Sequence, residues 1–116
     1  MPPLPPSEWA PQERLWIGFP GNPAEWPAAL SIAQRQAATF ASVVANRNNS
    51  VSLVTRSAAD YQIARIIAHP AVEIRQEFFG DIWLRDTGPI GVIGPNGSRA
   101  LVDFEFNGWG GKFRMP

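Results

Sequence analysis

The sequence of 116 residues contains no cysteine and a single histidine. Without cysteine, a disulfide framework, a cysteine-ligated metal site and a cysteine nucleophile are all excluded within these residues. One histidine cannot form a structural zinc site by itself, and we expect no metal and no cofactor. That histidine, His69, lies between a predicted helix end and Pro70. We therefore interpret it as a helix-end residue rather than a catalytic base.

Long apolar runs and an excess of either charge are also missing. No run approaches the roughly 20 residues that span a membrane. The Pro-rich start, Met1–Glu8, lacks the basic and apolar regions of a signal peptide. Ten basic and ten acidic residues balance, which argues against nucleic acid or an anionic membrane as a partner. We expect a cytoplasmic protein, and a small cationic ligand stays open because its binding depends on local charge.

Strand-like and helix-like patterns alternate along the chain and predict an α/β fold. Residues 1–14 are rich in proline and predict an extended segment. Short apolar or alternating runs predict strands at 15–19, 51–54 and 72–75. A hairpin is predicted around the Asn-Gly pair within Gly94–Ser98, with strands at 89–93 and 100–104.

Two capping sequences predict where helices begin. Ser57 with Asp60 forms a capping box for the second helix. Asn22, followed by Pro23 and Glu25, predicts the start of the first helix. The apolar stripe of this first helix advances by four and three residues, through Trp26, Leu30, Ala33, Ala37, Phe40 and Val44.

The stretch Phe78–Pro89 lies between two predicted strands, where loops commonly carry binding residues. In it Asp81 and Asp86 flank Trp83 and Arg85. A carboxylate beside an indole suits a guanidinium, because the carboxylate accepts paired charge-assisted hydrogen bonds and the indole face adds cation–π attraction. The alternative is structural. Asp86 then caps an ordinary turn, and Arg85 pairs with Asp81 or a neighbour to fix the loop.

A second notable stretch, Phe104–Lys112, contains a Gly-Trp-Gly-Gly core. Its glycines allow the backbone to approach a ligand closely while Trp109 presents a large aromatic surface. The alternative is a hydrophobic turn with Trp109 in the core. Among the five tryptophans, Trp83 and Trp109 are the ligand candidates, because a loop indole has an N–H that seeks a partner. The other three, Trp9, Trp16 and Trp26, are expected in the core.

Four stretches, in order, resemble agmatine deiminases and the related bacterial peptidylarginine deiminases. They are Glu8–Trp16, Pro20–Trp26, Asp81–Pro89 and Asp103–Lys112. The resemblance covers nearly the whole chain, and the last two motifs together are far more specific than either alone. It implies the five-bladed α/β propeller of the guanidine-modifying superfamily, known as the pentein fold.

Members of that family are much longer than this chain. The resemblance therefore implies that residues 1–116 are the N-terminal part of a single deiminase catalytic domain, with one blade and the start of the next. An open blade exposes a strand edge and an apolar helix stripe, so we expect a homo-oligomer or other self-association.

The resemblance also implies a reaction, the hydrolysis of agmatine to N-carbamoylputrescine and ammonia. A cysteine thiolate attacks the guanidinium carbon, and a histidine acts as acid and base while water hydrolyses the intermediate. Both residues are expected beyond Pro116, so residues 1–116 alone are expected to be inactive. The alternatives are a peptidylarginine deiminase, although those are usually exported and this chain lacks a signal, and a non-catalytic cation-binding module.

Site residues follow from the resemblance only where a motif matches. Asp86 matches the substrate-binding carboxylate, and Trp83 and Trp109 match aromatics near the pocket. The implied ligand is a small guanidinium compound, agmatine, with no nucleic acid and no membrane. Supporting roles are expected for Arg85, Asp81, Gly110 and Gly111.

Overall fold

The structure is a computed structural model that describes residues 2–114. The chain forms two compact units. The sheet unit is Glu13–Leu84, and the hairpin unit combines Met1–Gln12 with Arg85–Pro116.

The sheet unit alternates strands and helices. Its three strands pair in parallel in the order β1-β2-β3. Parallel neighbours need a crossover, and a helix supplies each one here. The predicted α/β alternation is therefore confirmed. The elements are β1 (Leu15–Gly18), α1 (Leu30–Ala45), β2 (Val51–Thr55), α2 (Ala58–Ile67) and β3 (Glu73–Gln76).

The core of the sheet unit lies between the central strand and the two helices. All five residues of β2 are buried, and Leu53 is fully enclosed. The buried face of α1 is made largely of alanines. Because alanine side chains are short, this helix lies close to the sheet, and the larger strand residues fill the space between them. The principal members are Phe19, Ala38, Ala41, Val51, Leu53, Ala64, Val72 and Ile74.

The first helix begins later than predicted, at Leu30 rather than after Asn22. Asn22 caps only a turn, in which the Ala24 N–H donates to Asn22 Oδ1 at 3.0 Å. The helix cannot continue from there, because the residue before Pro27 is disfavoured in the helical region. Ala28 then adopts a left-handed backbone with φ 58°.

The predicted apolar stripe is partly wrong, because the alanine face of α1 is the one that packs. Ala33 is buried as expected, but Phe40 is 55% exposed. Two of the expected core tryptophans are also exposed, Trp9 at 88% and Trp16 at 46%. Trp16 lies instead against the Arg75 guanidinium, 5.4 Å from its ring centroid.

The second helix begins as its capping box predicted. Ser57 is the N-cap of α2, and its Oγ accepts a hydrogen bond from the Asp60 N–H at 3.1 Å. The Ser57 hydroxyl also donates to the Asp60 carboxylate at 2.8 Å. These contacts satisfy an otherwise unpaired amide of the first turn.

The hairpin unit contains the predicted antiparallel pair, β4 (Ile90–Ile93) and β5 (Arg99–Val102). Gly97 has φ 72°, the left-handed conformation that the tight connection requires. Leu4 extends the pair by exchanging two backbone hydrogen bonds with Ile93, at 3.1 and 2.9 Å. Within residues 2–114, none of the helices is both long and apolar enough to cross a membrane.

A polar cluster lies on the face of the sheet turned away from the helices. Arg14 Nη1 donates to Ser52 Oγ at 2.9 Å and to Glu73 Oε2 at 2.8 Å. The buried Ser52 hydroxyl donates to the same carboxylate oxygen at 2.7 Å. The hydrogen bond from Ser52, together with the charges of Arg14 and Arg75, lowers the pKa of Glu73 below its ordinary value of 4.5.

The lowered Glu73 pKa predicts a pH-dependent stability. A carboxylate with a depressed pKa in the folded state contributes stability above its ordinary pKa, and this is lost as pH falls through the folded-state pKa. We expect Glu73→Gln, which keeps the shape and loses the charge, to lower the urea midpoint at about pH 7. The native and variant midpoints should converge at a pH well below 4.5, where Glu73 is protonated in the folded state too.

The control for this experiment is Glu105→Gln, an exposed glutamate in the hairpin unit. It should leave the midpoint nearly unchanged at both pH values. A Glu73→Gln deficit of the same size at both pH values would contradict the assigned role of the charge.

Candidate functional site

The Trp83–Pro89 stretch is only partly the loop that was predicted. A single helical turn, α3 (Leu84–Thr87), contains both Arg85 and Asp86. Among residues 2–114, no hydrogen bond from a following amide to the Asp86 side chain is found. The alternative in which Asp86 caps a turn is therefore not what the structure shows.

Arg85 and Asp86 differ in how their charges are matched. Arg85 donates to the Glu8 carboxylate in an ion pair between two exposed side chains. Asp86 is also exposed, and it takes part in none of the ion pairs formed within residues 2–114. The neighbouring cation is thus paired with Glu8, and the Asp86 carboxylate is accessible to a cation from solution.

Trp83 belongs to the sheet unit and is 61% exposed. The Leu84 N–H donates to the Ile82 carbonyl at 2.8 Å. A bond across three residues closes a γ-turn with Trp83 at its centre. Asp81, two residues earlier, is half-buried. The backbone on both sides of Trp83 is therefore closely constrained while much of its ring faces solvent.

The Gly-Trp-Gly-Gly core forms a left-handed turn, α4 (Gly108–Gly111). Its four successive residues have φ values of 66°, 57°, 75° and 81°. Asn107 closes the turn, because its Oδ1 accepts from the Gly110 N–H at 2.8 Å and its carbonyl from the Gly111 N–H at 2.7 Å. Glycine adopts this conformation without a steric penalty, whereas Trp109 does so at a cost of about 1–2 kcal/mol.

Two phenylalanine rings pack against the Trp109 indole. Phe106 meets it edge-on with centroids 4.9 Å apart, and Phe113 meets it edge-on at 5.8 Å. Lys112 Nζ lies 5.6 Å from the Phe113 centroid. Edge-to-face pairs of this kind stabilise an arrangement beyond the area they bury. Trp109 remains 39% exposed, so it is not the core residue of the alternative interpretation.

His69 has a structural role, in agreement with its interpretation as a helix-end residue. Its backbone N–H donates to Ser42 Oγ at 2.9 Å. Its ring Nδ1 accepts from the Ala71 N–H at 3.1 Å. In the described part of the chain, no three His, Asp or Glu side chains are grouped so that they could hold a metal ion.

The predicted site residues are distributed over the two units. Trp83 and Asp81 belong to the sheet unit. The hairpin unit contains Asp86, Trp109, Arg85, Gly110 and Gly111. Three residues that contact the predicted site residues were not themselves predicted: Phe106 and Phe113, which contact Trp109, and Glu8, which pairs with Arg85. Phe106 and Phe113 lie three and four residues from Trp109, which is a usable signal, whereas nothing local marks Glu8 as the partner of Arg85.

Comparison with known proteins identifies the family to which the chain is similar. A family model described as Porphyromonas-type peptidyl-arginine deiminase matches residues 4–116. Agmatine deiminase of Stutzerimonas stutzeri is 39% identical over 108 residues, which cover 92% of this chain and 29% of that protein. The chain thus spans less than a third of the length of this relative.

Solved structures show the same likeness. An agmatine deiminase variant from C. jejuni with substrate bound has a TM-score of 0.80 and 30% identity, covering 94% of this chain and 32% of that one. Agmatine deiminase of Enterococcus faecalis has a TM-score of 0.79 and 27% identity, covering 94% of this chain and 29% of that one. The predicted α/β class, as part of the pentein fold, is confirmed by these matches.

Two glycine-to-alanine substitutions in the left-handed turn should lower the free energy of unfolding by different amounts. Gly110→Ala forces an alanine into φ 75° in open space, which should cost about 1–2 kcal/mol. Gly108→Ala should cost more, because its Cβ would lie 2.0 Å from the Phe113 carbonyl oxygen. Urea unfolding followed by near-ultraviolet circular dichroism measures both.

Gly91→Ala is the matched control for this pair. Its Cβ would meet nothing within 4 Å, and no positive φ applies there. Its midpoint should stay close to that of the native chain. Equal costs for Gly108→Ala and Gly110→Ala would contradict the close contact with Phe113.

Proposed function

Because the chain belongs to the Porphyromonas-type peptidyl-arginine deiminase family, we propose that its protein hydrolyses agmatine to N-carbamoylputrescine and ammonia. The similarity to agmatine deiminases over nine-tenths of the chain supports agmatine as the substrate. The contribution proposed for residues 1–116 is to bind and orient the guanidinium group.

The observation that carries this proposal is the accessible carboxylate of Asp86. The adjacent cation, Arg85, is already paired with Glu8. Asp86 can therefore accept two parallel hydrogen bonds from a planar guanidinium without first breaking an internal ion pair. A carboxylate engaged with Arg85 would have to lose that partner before it could bind substrate.

Aromatic faces provide the second part of the proposed site. Trp83 is largely exposed, and Trp109 makes edge-to-face contacts with Phe106 and Phe113. Either indole can attract a guanidinium through its ring face. A rigidly held ring loses little conformational freedom on binding, which favours affinity.

The proposed chemistry uses a cysteine thiolate from outside residues 1–116, since these contain no cysteine. The thiolate attacks the guanidinium carbon, ammonia leaves, and water then hydrolyses the amidino-thioether. Asp86 keeps the cationic substrate oriented during the attack. The ureido group of the product is neutral, whereas the guanidinium was charged, so the charge pairing with Asp86 is lost and product release is favoured.

Peptidyl-arginine is the second candidate substrate, because the matching family model is named for it. Its guanidinium is the same chemical group and could use the same carboxylate. An arginine-containing peptide therefore belongs in the same assay as agmatine. A kcat/KM for the peptide above that for agmatine would assign the peptide as the substrate.

The role of Asp86 is testable in the enzyme that contains residues 1–116. Asp86→Ala should lower kcat/KM for agmatine by about tenfold or more, because hydrogen bonds to a charged group are lost. The measurement is ammonia release at several agmatine concentrations. Glu77→Ala also removes one exposed carboxylate and keeps the backbone N–H that donates to Thr55. It is the charge-matched control and should leave kcat/KM near the native value.

Two outcomes would contradict the proposal. Native kinetics in Asp86→Ala would remove this carboxylate from the site. Ammonia release by residues 1–116 alone would show that the covalent step does not depend on a cysteine elsewhere.

A further inference from the structure

The segment Glu77–Leu84, which carries Trp83, crosses the sheet from one edge to the other. It leaves β3 at one edge and reaches Gly18 on β1 at the opposite edge. A Cβ placed on Gly18 would lie 2.7 Å from Ile82 Cα and 3.0 Å from the Ile82 carbonyl oxygen. Distances this short mean that only glycine permits the observed backbone approach.

The near end and the middle of this segment are held by the last residue of β2 and by the residue that follows it. The Glu77 N–H donates to the Thr55 carbonyl at 2.9 Å. Arg56 Nη1 donates to the Gly80 carbonyl at 3.1 Å. The Arg56 guanidinium also lies 6.0 Å from the centroid of the Phe79 ring. Arg56 thus contacts two successive residues of the segment with one side chain.

At the far end of the segment, the contact with Gly18 lies directly beside Trp83. Ile82, which rests on Gly18, is the residue before Trp83, and the γ-turn from Ile82 to Leu84 encloses it. A displacement of Ile82 would therefore carry the Trp83 indole with it. Displacements of about 1 Å in substrate-positioning groups are enough to affect catalysis strongly.

We propose that Gly18 and Arg56 are positioning residues that set the location of the Trp83 indole through the backbone of Glu77–Leu84. This inference rests on the proposed function only in assigning Trp83 to the binding of the substrate guanidinium. The placement of Trp83 itself is a separate, measurable property. Neither Gly18 nor Arg56 needs to touch the substrate for the inference to hold.

The placement is tested without substrate by fluorine NMR of the chain labelled with 5-fluorotryptophan. The Trp83 resonance is assigned by its loss in Trp83→Phe. Gly18→Ala should shift or broaden this resonance, because the new Cβ forces Ile82 to move. Gly91→Ala, a glycine-to-alanine change with open space around its Cβ, should leave it in place.

Arg56 provides an independent test that does not depend on Gly18→Ala folding. Arg56→Ala removes both contacts with the segment and should also move the Trp83 resonance. Arg56→Lys keeps a cationic donor for the Gly80 carbonyl and should restore part of the native position. An unmoved Trp83 resonance in Arg56→Ala, and in Gly18→Ala where it folds, would overturn the proposal.

The consequence for substrate is measured separately, as kcat/KM for agmatine in the enzyme that contains this chain. Gly18→Ala and Arg56→Ala should lower it about threefold or more, since the cation–π contact depends on ring placement. Gly91→Ala should not. If the native enzyme does not act on agmatine, the proposed function fails while the NMR result still decides the positioning role. Native kcat/KM with a displaced Trp83 resonance would overturn the link to catalysis.

Discussion

The burial of β2 on both of its faces is the constraint on which the sheet unit depends. Five consecutive buried residues, Val51–Thr55, leave this strand with no surface toward solvent. On one face, the alanines of α1 allow a helix to approach closely enough to enclose Leu53. A strand covered on one side only would expose Ser52 and Val54, both of which are buried here. The burial of β2 therefore requires a cover on the face opposite the helices as well as the helices themselves.

That second face is covered in two different ways along its length. Near the start of the strands, Ser52 is covered by the hydrogen-bonded cluster with Arg14 and Glu73. Near the strand ends, Gly18 lies against the backbone of Ile82. Polar groups suit the first position because every buried hydroxyl needs a partner. Glycine suits the second position, because the absence of a side chain lets the segment Glu77–Leu84 lie directly on the sheet. This segment carries Trp83.

The hairpin unit presents its candidate residues by different means. The left-handed turn of Gly108–Gly111 places one tryptophan among three glycines, and two phenylalanines hold its ring. The strained Trp109 backbone is balanced by these contacts and by the Asn107 cap. Arg85, the cation next to Asp86 in the chain, is paired with Glu8. Exposed ion pairs contribute little to stability. In the proposed site, the pair leaves the Asp86 carboxylate available to a substrate cation.

The sequence by itself determined the features that depend on a few neighbouring residues. The capping box at Ser57, the Asn-Gly hairpin and the α/β alternation are confirmed, because each results from local hydrogen bonds or side-chain periodicity. The candidate residues Asp86, Trp83 and Trp109 also came from sequence motifs, and their roles remain predictions.

Only the tertiary structure decided the start of α1, the exposure of Trp9 and Trp16, and the contacts of Gly18 and Arg56. The partner of Arg85 lies 77 positions away. Such features join distant parts of the chain, and packing between these parts overrides the local preferences that a sequence pattern records.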